Sequence, residues 1–279
     1  MGTGLFDSIK GRLYLPEKTR RSKAYHIVGV QTPRFGTPHP MKTRPLAPEF
    51  RANLKRLLQG FAEHCEISDH LSGNIEQPIY FHGFKFGAPV FTFTGSSSHA
   101  DKLRTIGLLG HNTRHDQVAS DILLQLVEVL TLRPEIAIDQ SLRVLPVSDP
   151  ITLELEEDAP DLSEWPVLHY LADRFRESAV DGLLELRSTT GSSLVIGGTA
   201  DPKLYQTLAS SSAAARTLPS IPVLTSFVQP LDGTRWHLEI EVPRAWNQAG
   251  DVLAVSRFIG RVLETYSHLL GATQDQSHR

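Results

Sequence analysis

The stretch IGLLGHNTRHDQVASDILLQLVEVL, residues 106–130, decides how the chain folds. Its first part, within TIGLLG at 105–110, is nearly continuous in apolar side chains, as a central strand covered on both faces requires. From His115 to Leu132 the apolar positions Val118, Ile122, Leu123, Leu126, Val127 and Leu130 recur at helical spacing and define one buried side. Between strand and helix lies the densest polar cluster in the chain, His111, Thr113, Arg114, His115 and Asp116. A strand running into a helix through polar residues places them at the C-terminal end of the strand. Open α/β sheets form their binding crevices there, and the amides of the helix end favour an anion or an acidic side chain. The plainer alternative is that Thr113 or Asp116 caps the helix.

The same alternation continues outward from this unit. On the N-terminal side, Pro48–His64 carries Phe50, Leu54, Leu57, Leu58 and Phe61 at helical spacing. PIYFHGF and APVFTFTG, separated by KFG, predict a β-hairpin. On the C-terminal side, strands are expected at 141–147, 181–187, 193–198, 221–228 and 236–242. Helices are expected at 166–175, from about 202, and at 251–270. Strands alternating with helices predict an α/β fold: a mixed, mostly parallel central sheet with helices on both faces, as one domain over residues 46–279. Residues 1–45 carry Lys and Arg pairs and turn-like Pro and Gly stretches, with AYHIVGV at 24–30 as a short extended candidate, and are expected to form an N-terminal arm or extension. In RWHLEIEVP, Trp236, Leu238 and Ile240 line one strand face, and Arg235, His237, Glu239 and Glu241 line the other. An edge strand would leave that polar face in water; a central strand must give it partners.

Composition narrows the function. The formal net charge is -3 with no long basic run, which argues against nucleic acid as a partner. Cys65 is the single cysteine, so no disulfide can form within the chain and no zinc site can be built on several thiolates. The sequence has no apolar signal core and no apolar run able to span a bilayer, giving a cytoplasmic expectation without membrane contact. MG-x-x-x-F lacks the hydroxyl residue that a myristoylation signal prefers. Dinucleotide fingerprints, phosphate loops, the HExxH helix and the GxSxG elbow are absent in usable form.

With these segments in order, residues 48–270 resemble the M14 zinc carboxypeptidases, and within them the branch of succinylglutamate desuccinylase and aspartoacylase-like proteins. The resemblance implies a zinc-carboxypeptidase-like (phosphorylase/hydrolase-like) fold. It also aligns the family's working positions with this chain. The family's G-I-H-G-D-E element falls on the opening stretch, with Thr113 at the zinc-binding histidine and Asp116 at the zinc-binding glutamate. Pro-x-x-Asn-Pro corresponds to LPVSDP at 145–150, with Asp149 for Asn, and Asp-Leu-Asn-Arg to DLSE at 161–164. Ser163 and Glu164 thus stand where the family holds the substrate carboxylate. The third zinc ligand falls on Arg187 in DGLLELRS, and the general-base glutamate on Glu241 in EVP.

Zinc takes imidazole nitrogen and carboxylate oxygen at about 2.0–2.2 Å. Threonine is a weak neutral ligand, and a guanidinium is a permanent cation with no lone pair to give. The resemblance therefore implies a protein with the fold and crevice of the family but no canonical zinc peptidase or deacylase activity, and no metal or other cofactor. In that reading it binds a small polar ligand or another protein, with residues 1–45 or a sheet edge available for a homodimer. An arginine fork suits two carboxylates, so Arg187 is expected between Asp116 and Glu241 in place of the metal. The competing reading is a metal-dependent hydrolase, a carboxypeptidase or N-acyl amino acid deacylase, with zinc on a displaced set drawn from His111, His115, His169 and His237 with Asp116.

Overall fold

The computed structural model describes residues 52–81, 84–96, 103–112, 116–149, 166–200, 204, 206, 218, 223–228 and 236–276. The expected arm at 1–45, with its strand at 24–30, and most of the helix expected from about 202 lie outside the described residues.

Among the described residues eight strands form one sheet in the order β1-β2-β4-β3-β5-β8-β6-β7. They are β1 (Leu71–Phe81), β2 (Phe84–Thr94), β3 (Arg104–His111), β4 (Gln140–Leu145), β5 (Gly182–Thr189), β6 (Val195–Thr199), β7 (Val223–Val228) and β8 (Trp236–Pro243). The helices are α1 (Ala52–Ile67), α2 (Val118–Leu132), α3 (Pro166–Ser178) and α4 (Ala249–Gln276). β4, β3, β5 and β8 run parallel, while β2 against β4 and β6 against β8 are antiparallel. The sheet is mixed and mostly parallel at its centre, as the alternation of elements predicts.

One expectation is corrected at the hairpin. KFG is not its turn: residues 85–87 lie within β2, where Lys85 pairs with Tyr80 and Phe86 with Ile79.

Among the described residues the two faces of the sheet are packed unequally. Leu108, Leu184, Leu238 and Ile240 point into a large core with Phe61 of α1, Ile122 and Leu126 of α2, and Val255 and Ile259 of α4. Phe61 stacks on Phe91 of β2 with ring centroids 4.9 Å apart. The opposite face is covered, among the described residues, by α3, whose Leu171, Ala172 and Phe175 pack on Val90, Leu109, Leu145 and Leu183. β8 is central, between β5 and β6, so its polar face has to find partners. Gly198, at φ +119°, sits where the β6–β7 register shifts, and a Cβ there would lie 2.0 Å from the His237 carbonyl oxygen.

Candidate functional site

β3 has β4 on one side and β5 and β8 on the other. Connections that leave a central strand in opposite directions open a crevice at the C-terminal strand ends. The register lines up the side chains there. Leu109, Glu185 and Glu239 are paired across β3, β5 and β8, and so are His111, Arg187 and Glu241 one alternation further on. All six share the face covered by α3.

Glu185 is the centre of this layer. Its side chain is 1% exposed, and its carboxylate gathers guanidinium and imidazole groups from four elements, α3, β3, β5 and β8. Arg176 of α3 donates from Nε to Oε1 at 2.8 Å and from Nη2 to Oε2 at 2.9 Å. His111 Nε2 lies 2.6 Å from Oε2, and Arg187 Nη2 reaches the same oxygen at 3.3 Å. His237 Nε2 lies 3.2 Å from Oε1 as an ion-pair contact outside hydrogen-bond alignment. Burial alone would push the Glu185 pKa up. The contacts from His111, His237 and Arg176 outweigh it and hold the carboxyl well below the usual carboxylate range.

A second network ties the ends of β3 and β4 together. Asn112 Nδ2 lies 2.5 Å from both Ser120 Oγ and the Pro146 carbonyl oxygen. Ser120 donates its hydroxyl to Pro146 O at 2.6 Å and its N–H to Asn112 Oδ1 at 3.1 Å. The Ser148 N–H donates to Gly110 O at 3.0 Å, and Ser148 Oγ is 3.3 Å from His111 Nδ1.

The expected triangle of Asp116, Arg187 and Glu241 is corrected by these contacts. The guanidinium beside Asp116 belongs to Arg244, whose Nε is 2.8 Å from Oδ2, off the hydrogen-bond direction. Asp116 Oδ1 accepts the N–H of Val118, the first residue of α2, at 3.2 Å. Arg187 turns instead to Glu185, two positions back on the same strand face and almost fully buried, while Glu241 is its register partner on β8. The physical reason is placement. Arg244 follows β8 directly, anchored by its N–H on Thr189 O at 2.9 Å, and so meets the start of α2. Of the displaced histidine set, the structure brings His111 and His237 together on Glu185. Thr113, His115, Ser163 and Glu164, and the side chain of His169, lie outside the described residues.

Sequence reasoning missed Glu185, Arg176, Arg244 and Ser148. For Glu185 a signal existed: in DGLLELRS it stands between Leu184 and Leu186 in a strand otherwise apolar up to Arg187, and a buried carboxylate in a central strand must have a counter-charge.

Among the described residues the donor set does not fit zinc. Arg187 is a permanent cation beside the Glu185 carboxylate, Asp116 is engaged by Arg244 and by a helix amide, and Arg176 occupies both oxygens of the carboxylate between the two histidines. Among the described residues no group of three or more His, Cys, Asp or Glu is arranged to hold a metal ion. Among them, too, no helix is long and apolar enough to cross a membrane.

Sheet order and helical layers define the class: this is a zinc-carboxypeptidase-like fold, shared with two solved structures. A metallo-carboxypeptidase from Pseudomonas aeruginosa, solved with (2-guanidinoethylmercapto)succinic acid, superposes with a TM-score of 0.50 at 13% identity, covering 79% of this chain and 69% of that one. A candidate metallopeptidase from Shewanella amazonensis SB2B gives 0.50 at 12% identity, covering 78% of this chain and 96% of that one. A succinylglutamate desuccinylase from Silicibacter sp. TM1040 gives 0.45 at 14% identity over 72% and 68%, a value too low to single out that branch. At these identities the likeness is one of fold. No protein-family model matches the sequence, and no curated protein matches it.

Proposed function

We propose that this chain is a carboxypeptidase-fold protein that does not carry out zinc-dependent hydrolysis and uses the crevice at the ends of β3, β5 and β8 to bind a small polar ligand. The observation that carries this reading is the two-point hold of Arg176 on Glu185, between His111 and His237. A guanidinium seated on that carboxylate excludes a divalent cation from the same oxygens by repulsion and by occupancy. Arg187 and Arg244 keep side chains 44% and 53% exposed at the crevice, so donors for an anionic ligand group remain available there.

Metal analysis of protein purified without chelator, combined with hydrolysis assays on N-acyl amino acids and C-terminal peptides, tests the reading. Substoichiometric zinc and no chelator-sensitive cleavage are expected. Stoichiometric zinc together with cleavage that a chelator abolishes would overturn it and restore the displaced-metal hydrolase.

A further inference from the structure

Three groups in the crevice are aligned in an order that the binding reading does not use. Ser148 Oγ lies 3.3 Å from His111 Nδ1, and His111 Nε2 lies 2.6 Å from Glu185 Oε2. An ionised carboxylate only accepts hydrogen bonds, so the ring proton of a neutral His111 sits on Nε2. Nδ1 is then left with its lone pair toward the serine hydroxyl. A hydroxyl, an imidazole and a carboxylate linked in that sequence are the parts of an activated nucleophile, whatever fold carries them.

The surroundings hold this alignment rigidly. Ser148 is tied to Gly110 through its N–H, one residue before His111. Asn112 and Ser120 together lock Pro146, two residues before Ser148. Arg176 fixes both oxygens of Glu185 from the helix side. Ser148 itself is 6% exposed, but the His111 side chain is 25% exposed, so a small molecule approaches along the imidazole.

We propose that Ser148, His111 and Glu185 form a serine-centred relay that takes an acyl group from a small ester. As the bond from Ser148 Oγ to the acyl carbon forms, the hydroxyl proton passes to His111 Nδ1. The bond from the acyl carbon to the alcohol oxygen breaks, and the alcohol leaves with that proton. Water then adds to the acyl carbon and gives a proton to His111, which returns it to Ser148 as the acid departs. The sum is ester plus water to acid plus alcohol, without a metal. Ser148 and His111 are the catalytic residues; Glu185 and Arg176 act through His111 as positioning residues.

The test uses the full chain in excess EDTA with p-nitrophenyl acetate, and in parallel a fluorophosphonate probe read by peptide mass spectrometry. We expect a p-nitrophenolate burst and a phosphonyl mass on the Ser148 peptide. Ser148→Ala removes the label, and His111→Gln slows labelling by roughly 100-fold or more. Glu185→Gln lowers kcat with KM unchanged, a split that general loosening of the crevice does not produce. If Glu185→Gln fails to fold, the other two variants, which remove no buried charge, still decide. Label on another residue, no label, or hydrolysis at the parent rate by Ser148→Ala overturns the proposal. Because no step involves zinc, that failure is distinct from failure of the binding reading.

Discussion

A carboxylate as buried as Glu185 is tolerated only when its charge is matched, and here the guanidinium groups of Arg176 and Arg187 match it, with the rings of His111 and His237 in contact beside them. Removing one partner of such a buried set leaves uncompensated charge behind, which costs about 3–5 kcal/mol. Glu185→Gln is therefore expected to lower the unfolding free energy by about that amount at neutral pH, measured by urea denaturation. The pH dependence follows from the depressed pKa in the folded state. The contribution of Glu185 is complete above the ordinary carboxyl value of about 4.3 and is lost as pH falls from there toward the folded value. The guanidinium groups that face it, Arg176 and Arg187, are permanent cations and do not reverse the sign. The gap between parent and Glu185→Gln should narrow between pH 5 and acid pH, on the order of pH 3; an unchanged gap would show that the charge contributes nothing. At Cys65 the environment acts in the opposite sense. Burial, reinforced by Glu66, pushes the thiol up to about 12. The thiolate is the reactive form, so a disulfide reagent at pH 8 is expected to react with Cys65 far more slowly in the native protein than in denaturant, and equal rates would contradict that placement.

At the scale of elements, the packing of α3 on β3 sets the position of Arg176, and Gly107 permits it. A Cβ at Gly107 would lie 2.6 Å from the Cβ of Ala179, with Leu183 and Phe175 both at 3.1 Å. Gly107→Ala should push α3 off the sheet and destabilise the protein by about 1–3 kcal/mol, seen as a lower urea midpoint with the slope unchanged. A midpoint equal to the parent's would mean that the helix yields freely. Elements of this kind were readable in the sequence where a single period dominates. TIGLLG and the α2 stripe are two such cases, and the alternation of WHLEIEV is another. The hairpin turn was misread because KFG has turn composition, whereas the register depends on the pairing of Phe81 with Phe84. The site was less readable than the elements. Ser148 and Glu185 stand 37 and 74 residues from His111 in sequence, and only the parallel register of β3, β4 and β5 brings the three together. Arg176, nine residues before Glu185, meets it only because the chain leaves α3 and immediately enters β5.

Among the described residues of the whole molecule, the sheet separates a deep core from a shallow one, and the candidate site lies on the shallow side. Helices α1, α2 and α4 share the large cluster, and α2 and α4 are further joined by Ser256 Oγ, 2.9 Å from Ile122 O. Among the described residues α3 alone closes the other face, through a cluster of nine buried side chains, with the Arg176–Glu185 contact as its polar fastening. Segments with little buried apolar surface open at lower free energy than the global transition. Native-state hydrogen exchange should thus find the α3 amides exchanging through a partial opening, while those of α2 and α4 wait for global unfolding. Glu185→Gln should lower protection in α3 by more than it lowers protection in α2 and α4, because it releases the fastening as well as reducing total stability. Equal protection in all three helices, with equal losses on substitution, would mean that both faces unfold as one unit. Under the partial opening, whatever occupies the crevice and contacts Arg176 or His111 must also hold α3 closed, so ligand binding should be read first as slower exchange in that helix.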